Sequence, residues 1–305
     1  MTRLLVLVVI CTWVIGSAAQ VQFSSRTTAV ALDVSVTTKG RPVTGLTAAD
    51  FVVLDNGVEQ TLTDVSIGRH PLEVSLLVDV SDSTRALTLG LLGPLAGVLQ
   101  GAALRGDLFD VVPFAMQLTP DAGRADVSAT WAPTTHYTAI HDAIIATALR
   151  RSSIEHRRMV VVLTDGMESG SIIGEALQRR TLSSTAAVVS VARLMDTPML
   201  GRFSLFGSNG AQGAMASRTA AKRLIDVTTA TGGSFVDLIV NPGHPLMERD
   251  VESMVEKVIA DFRQSYVLRF TPSSDTPGDH ALAVSVKGRR YDIAHRTSYW
   301  QFPRR

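Results

Sequence analysis

Two apolar runs pass without a break into oxygen-bearing side chains, and that pairing narrows the folds open to this chain. The first is Val74-Ser75-Leu76-Leu77-Val78, followed by Asp79, Ser81 and Ser83; the second is Met159-Val160-Val161-Val162-Leu163, followed by Thr164 and Asp165. A strand rich in Val and Leu with little polar alternation needs cover on both faces, which a parallel sheet wound by crossover helices provides. Open sheets of this kind carry their sites at the carboxyl ends of the strands, so Asp79 and Asp165 are expected at one edge. Carboxylates mixed with hydroxyls are hard oxygen donors, suited to a magnesium-like cation.

The alternation of strand and helix runs from about residue 72 to 264. Strands are predicted at Val74–Asp79, Leu108–Ala115, Met159–Thr164, Ala186–Ala192 and Ser234–Ile239. Helices are predicted at Thr84–Gln100, Ala139–Arg150, Ile173–Ser183, Thr219–Thr231 and Pro245–Gln264. This order is that of an α/β fold with a doubly wound, mostly parallel sheet flanked by helices. In the last helix Met247, Val251, Met254, Val255, Val258 and Phe262 share one face at helical spacing.

Both flanks read differently. In residues 28–69 the apolar positions Val30, Leu32, Val34 and Val36 alternate as in a half-buried strand, and Asp55-Asn56-Gly57 is a strong hairpin signal. Residues 265–303 return to strands, with Tyr291–His295 expected to pair back across Lys287-Gly288-Arg289. Neither flank can bury both faces of a sheet alone, so 28–69 and 265–303 are expected to form one small β-sandwich, into which the α/β unit 72–264 is inserted. Asp196–Arg218 fits no element and reads as a long loop with an apolar cluster at Met199, Leu200, Phe203, Leu205 and Phe206. Disorder or cover for a sheet edge is favoured for it over a partner-binding lip.

At the start, Arg3 precedes the apolar run Leu4–Ile15, and Gly16-Ser17-Ala18-Ala19 supplies small residues before Gln20. This reads as a signal peptide over residues 1–19 with cleavage after Ala19, and hence a secreted or periplasmic protein. The run is shorter than the roughly 20 residues that span a bilayer, and no later stretch reads as a transmembrane helix. The one cysteine, Cys11, lies inside it, so the mature chain is expected to use no disulfide. Basic residues number 29 against 28 acidic, a balance that points to neither nucleic acid nor an anionic membrane as partner.

Ahead of the second apolar run, Thr138-Ala139-Ile140-His141-Asp142-Ala143 places a threonine at the entrance to a helix. With it, the chain resembles the von Willebrand factor type A domain, whose metal-ion-dependent adhesion site combines Asp-x-Ser-x-Ser, a separate Thr and a separate Asp. The matching positions are Asp79, Ser81 and Ser83, then Thr138, then Asp165, in the family's order, over roughly residues 72–264. The flanks are similar to those of bacterial secreted proteins related to this family, through Pro42-Val43-Thr44-Gly45-Leu46-Thr47-Ala48-Ala49-Asp50-Phe51 and Tyr266-Val267-Leu268-Arg269-Phe270-Thr271-Pro272. The resemblance implies those five residues as ligands of Mg²⁺, with Ca²⁺ or Mn²⁺ as alternatives. It also implies divalent-cation-dependent protein binding in which the partner's acidic side chain fills an open position. Where family members often carry glycine before the loop threonine, this chain has Tyr137, preceded by His136. That bulk is expected to shield the metal or to touch the partner.

Taken one at a time, Ser81, Ser83 and Asp165 read as caps of neighbouring helices or loops; taken together they favour a metal site. Glu168 reads equally as a rim residue or as a helix-start acid. Enzyme readings are weaker. A phosphatase of the haloacid dehalogenase type needs a second carboxylate where Ser81 stands, and no Gly-x-Ser-x-Gly elbow or His-Glu-x-x-His pair occurs, leaving His141 as the histidine nearest the motif. The tripeptide Arg105-Gly106-Asp107 precedes a core strand and reads as a turn. The rival to adhesion is a structural or assembly module of the cell envelope whose metal site is not essential; a metal-dependent hydrolase is the weaker alternative.

Overall fold

The computed structural model describes residues 29–118, 137–150, 155–196, 207–240, 246–288 and 290–303. The expected signal segment, His136 and the apolar cluster from Met199 to Phe206 lie outside the described residues. The chain begins with β1 (Val30–Thr38), β2 (Arg41–Pro42), β3 (Phe51–Asp55), β4 (Val58–Gln60) and β5 (Leu62–Ile67). It continues through β6 (Leu72–Asp79), α1 (Arg85–Thr88), a 3₁₀ turn at Leu89–Leu91, α2 (Leu92–Ala102), β7 (Leu108–Phe114), α3 (Ile140–Ala148) and β8 (Arg157–Thr164). Then come α4 (Glu175–Ser183), β9 (Val188–Asp196), α5 (Gly207–Thr231), β10 (Phe235–Val240) and α6 (Leu246–Arg263). Four strands close it: β11 (Tyr266–Phe270), β12 (Gly278–Val286), β13 (Asp292–His295) and β14 (Ser298–Gln301).

The central sheet has the order β10-β9-β8-β6-β7 with every pairing parallel, so β6 lies inside it with Asp79 at its carboxyl end. Its two faces are both covered. On one, Val74, Leu76 and Val78 of β6 pack with Leu95 and Leu99 of α2 and with Val251, Val255 and Ile259 of α6. On the other, Leu77 of β6 and Val160 and Val162 of β8 pack with Ile140 and Ile144 of α3 and Leu224 and Val227 of α5. Each such side chain contributes about 1.5–3 kcal/mol of burial, which is why the strand sequences show no polar alternation. The helix predicted as one piece from Thr84 is broken at Leu89–Leu91. Pro94 has no N–H to give back to the preceding turn, so it fits only the first turn of a new helix, which starts at Leu92.

The two flanks interleave in two antiparallel sheets. One has the order β13-β1-β11-β5 and the other β14-β12-β3-β4, and between them lie Leu32, Val34, Phe51, Val53, Tyr266, Leu268, Phe270 and Leu282. β1 from the amino-terminal flank runs between two carboxyl-terminal strands, so neither flank has a complete sheet without the other. Asn56 and Gly57 adopt left-handed conformations (φ 50° and 83°), as a two-residue hairpin between β3 and β4 requires. No helix among the described residues is long and apolar enough to cross a membrane.

Two expectations are corrected. Tyr291–His295 does not fold back on the preceding strand: β13 pairs with β1, Ser35 opposite Ala294 and Val36 opposite Ile293, because β12 already has β14 and β3 on its two edges. The helix expected from Thr219 begins at Gly207, so residues 207–218 of the expected loop are helical. Gly207, Gly210 and Gly213 weaken local helix propensity there, and tertiary contact outweighs it, including a hydrogen bond from Arg193 to the Ser217 carbonyl at 3.0 Å. In the Arg105-Gly106-Asp107 turn, Asp107 accepts hydrogen bonds from Leu72 N and Leu104 N at 2.8 Å and from Arg263 at 2.6 Å, so its carboxylate is a structural joint.

The sandwich core also holds a buried polar group. His280 Nδ1 meets Asp55 Oδ1 at 2.7 Å, its Nε2 meets the Thr276 carbonyl at 2.7 Å, and Tyr299 Oη donates to Asp55 Oδ2 at 2.8 Å. Two acceptors facing two ring nitrogens call for the doubly protonated imidazolium. Burial alone would lower the His280 pKa, but the Thr276 carbonyl and the Asp55 carboxylate outweigh it and raise the value above 6.5. A folded-state pKa raised in this way gives stabilisation that is complete below the unfolded value and is lost as pH rises through the folded one. Urea unfolding is therefore expected to show lower stability at about pH 9 than at about pH 6, with the difference reduced in His280→Leu; equal pH dependence in both proteins would contradict the assignment.

Candidate metal centre

Asp79 is 0% exposed, and every oxygen of the residue is held. Oδ1 accepts from Ser81 N at 3.0 Å and Thr84 Oγ1 at 3.1 Å, and Oδ2 accepts from Thr164 Oγ1 at 2.6 Å. Its backbone carbonyl accepts from Thr84 Oγ1 at 2.9 Å and Thr88 Oγ1 at 2.6 Å. Thr84, Thr88 and Thr164 were not foreseen as part of the site. Thr84 and Thr88 are one helical turn apart, a spacing that puts both hydroxyls on the face turned toward the end of β6.

The other predicted ligands lie on segments that meet at this end of the sheet. Ser81 is buried, with its Oγ 3.3 Å from Ser83 Oγ, while Ser83 and Asp82 are exposed. Asp165 follows β8, is half-buried, and accepts from Met167 N at 2.9 Å. Thr138 is buried; its carbonyl accepts from Ser169 N at 3.0 Å and Gly170 N at 2.9 Å, on the loop that follows Asp165. The next residue ties it to β7, through Ala139 N to Ala115 O at 2.9 Å, while Val80 N bonds Phe114 O at 2.8 Å. Gly170 lies in van der Waals contact with Tyr137 and the Thr138 main chain, its would-be Cβ position 3.4 Å from Tyr137 Cβ. The three segments that carry Asp79, Thr138 and Asp165 are thus joined by hydrogen bonds at one edge of the sheet, with Tyr137 exposed beside them.

Burial pushes the Asp79 pKa up; the Thr164 and Ser81 hydrogen bonds oppose this, and the negative charge of Asp165 adds to it. The neighbouring charge thus repels rather than balances the buried carboxylate. Two carboxylates among neutral hydroxyls form a donor set that fits a hard divalent cation, and one that lacks thiol and imidazole ligands. Among the described residues no group of three His, Cys, Asp or Glu side chains converges as a metal site, in keeping with a set that relies on Ser and Thr.

Glu168 turns out to be a cap for a distant helix rather than a rim acid. Its Oε2 accepts from Ile140 N at 2.7 Å, His141 N at 3.2 Å and Ser171 Oγ at 2.7 Å, and its Oε1 from Gly170 N at 2.9 Å and Ser171 N at 2.7 Å. Asp142 reciprocates by accepting from Ile172 N and Ile173 N at 2.9 Å. Glu168 does what the side chain of Ala139, at the cap position of α3, cannot. Glu168→Ala should cost about 2–3 kcal/mol by leaving main-chain donors unpaired, and Glu168→Gln less. Because the same loop holds Thr138, the Ala variant should also weaken cation binding; calorimetry on both variants checks the two effects together.

No family model matches the sequence, and no curated protein matches it. Partial likenesses to solved structures are found at low identity. An aerotolerance-related membrane protein from Bacteroides fragilis is 19% identical over 62% of this chain and 98% of its own, with a TM-score of 0.39. A von Willebrand factor type A protein from Catenulispora acidiphila is 11% identical over 81% of this chain and 73% of its own, with a TM-score of 0.40. Proximal thread matrix protein 1 from the mussel byssus, with a zinc-occupied metal-ion-dependent adhesion site, is 13% identical over 68% of this chain and 49% of its own, with a TM-score of 0.43. The central part of this chain is a doubly wound parallel α/β sheet, with the segments that bear Asp79, Ser81, Ser83, Thr138 and Asp165 at its carboxyl edge.

Proposed function

We propose that this protein binds a protein partner through a divalent cation held by Asp79, Ser81, Ser83, Thr138 and Asp165, the partner contributing an acidic side chain. The observation that carries this reading is the fully buried Asp79 carboxylate, set beside the charge of Asp165 and surrounded by hydroxyls. Such a pair calls for positive charge. Ser81, Ser83 and Thr138 are neutral oxygen donors, so with Asp79 and Asp165 acting partly through waters, as the resemblance implies, a divalent cation bound there keeps uncompensated charge and an open position for an outside carboxylate. Mg²⁺ is the preferred ion because it favours six close oxygen ligands and retains waters; since the mussel protein carries zinc in its site, Zn²⁺ belongs among the ions tried, with Ca²⁺ and Mn²⁺.

The chain's own residues supply position rather than chemistry. Thr84, Thr88 and Thr164 fix Asp79, and Glu168 fixes the loop beside Thr138. The nearby imidazole of His141 is buried, which fits a binding role better than proton transfer. A secreted or periplasmic location, read from residues 1–19, would put the site where envelope or extracellular proteins are its partners. The test is capture from secreted and envelope fractions with Mg²⁺, with EDTA and with Asp79→Ala. Capture lost in both controls supports the reading; capture indifferent to both leaves the structural-module reading in its place.

A further inference from the structure

Exposed apolar side chains gather around the edge that carries Asp79 and Asp165. Ile172 is 93% exposed, Met215 72%, Tyr137 56%, Met116 51% and Met167 38%. Single exposed apolar residues need no explanation, but a group of them beside a charged site marks a contact surface. A groove of about 360 Å³ opens between Met167 and Met215, walled by residues 166–168, the first turn of α3 and the α5 positions 215–224. It starts at Gly166, the residue next to Asp165, whose left-handed conformation (φ 84°) presses the loop onto α5: a Cβ there would lie 3.2 Å from Leu224. Ile140, Met167, Met215 and Leu224 make its walls largely apolar. Its inner end carries the buried imidazole of His141, whose Nδ1 has no hydrogen-bond partner, and its rim carries Arg223, shared with Glu175 at 2.7 Å.

We infer that this groove seats an apolar side chain of the same partner segment whose carboxylate reaches the metal centre, so that the partner is an extended acidic-apolar peptide stretch. This rests on the cation-dependent reading and deepens it. Two features select that occupant over a purely acidic one. The groove is continuous with the Asp165 loop, so a chain bound by its carboxylate passes over it within a few residues, at about 3.3 Å per extended residue. Its flexible methionine walls adapt to Leu- or Phe-sized groups.

The test is an array of blocked peptides with one Asp in a Gly/Ser background and Leu, Phe or Ala at each of the neighbouring positions. Binding to the full chain is read by fluorescence polarisation in Mg²⁺ and in EDTA. The variants are Asp79→Ala, Thr219→Trp, which fills the groove from an exposed helix position, and Met215→Asp, which charges its wall. The expected result is that Leu or Phe at one spacing binds about 10-fold tighter than Ala. Thr219→Trp and Met215→Asp should remove that gain while leaving the weaker binding of the Ala peptides intact. If Leu, Phe and Ala peptides bind alike and all depend on Mg²⁺ and Asp79, the cation reading stands and the groove proposal falls. A gain that survives both groove variants, or an array in which nothing binds, also overturns it. Binding indifferent to EDTA and to Asp79→Ala overturns the cation reading and this proposal with it.

Discussion

Asp79→Asn is expected to abolish cation binding and, at the same time, to stabilise the cation-free protein. Asparagine keeps the shape of the side chain. Its oxygen can still accept from Ser81 N and Thr84 Oγ1, and its amide can face Thr164 Oγ1, which already accepts from Gly166 N at 3.0 Å. What is removed is a charge that burial and Asp165 both disfavour. The melting temperature without divalent ion should therefore rise by about 2–4 °C for each kcal/mol of relief, while the rise that Mg²⁺ gives the wild type should vanish. Such a trade of stability for function separates a ligand from a structural aspartate. A melting temperature that falls in the absence of metal would mean that the Asp79 charge serves the fold itself.

The largest loss of stability is expected at Arg157, which joins the α/β unit to the sandwich. From the start of β8 its Nε pairs with Asp33 of β1 at 2.7 Å, its Nη2 donates to the Phe262 carbonyl at 2.9 Å and to Ser265 Oγ, and its guanidinium stacks over the Phe262 ring at 4.3 Å. Both partners of the pair are mostly out of water. Arg157→Met leaves the Asp33 carboxylate without its cation and should cost about 3–5 kcal/mol, a fall in melting temperature on the order of 10 °C. Asp33→Leu with Arg157→Met should recover much of this, because removing a buried pair together is cheaper than orphaning one member. A double variant as unstable as the single one would show that Arg157 acts through Phe262 and Ser265 rather than through Asp33.

Much of this architecture was legible in the chain because its signals are local. The unbroken Val and Leu runs before Asp79 and Asp165 marked buried parallel strands. Asn56-Gly57 marked a hairpin, and Val251, Val255 and Phe262 marked one face of α6. Non-local features were hidden. The pairing of Ala294 with Ser35 joins residues far apart in sequence, and no turn signal encodes it. The start of α5 was concealed by three glycines that tertiary packing overrides. At the metal centre the motif pointed to five oxygen donors but not to the residues that hold them. Thr164 reaches Asp79 across neighbouring strands, and Glu168 caps a helix that precedes it by 28 residues, relations that exist only once the sheet has formed.

If Asp79 and Asp165 share a divalent cation, isothermal titration calorimetry of the full chain with Mg²⁺ will register it. The expected result is saturable binding at one site in the wild type, weakened about 100-fold or more in both Asp79→Asn and Asp165→Asn. Heats that are absent from the wild type, or unchanged in the two variants, would contradict it.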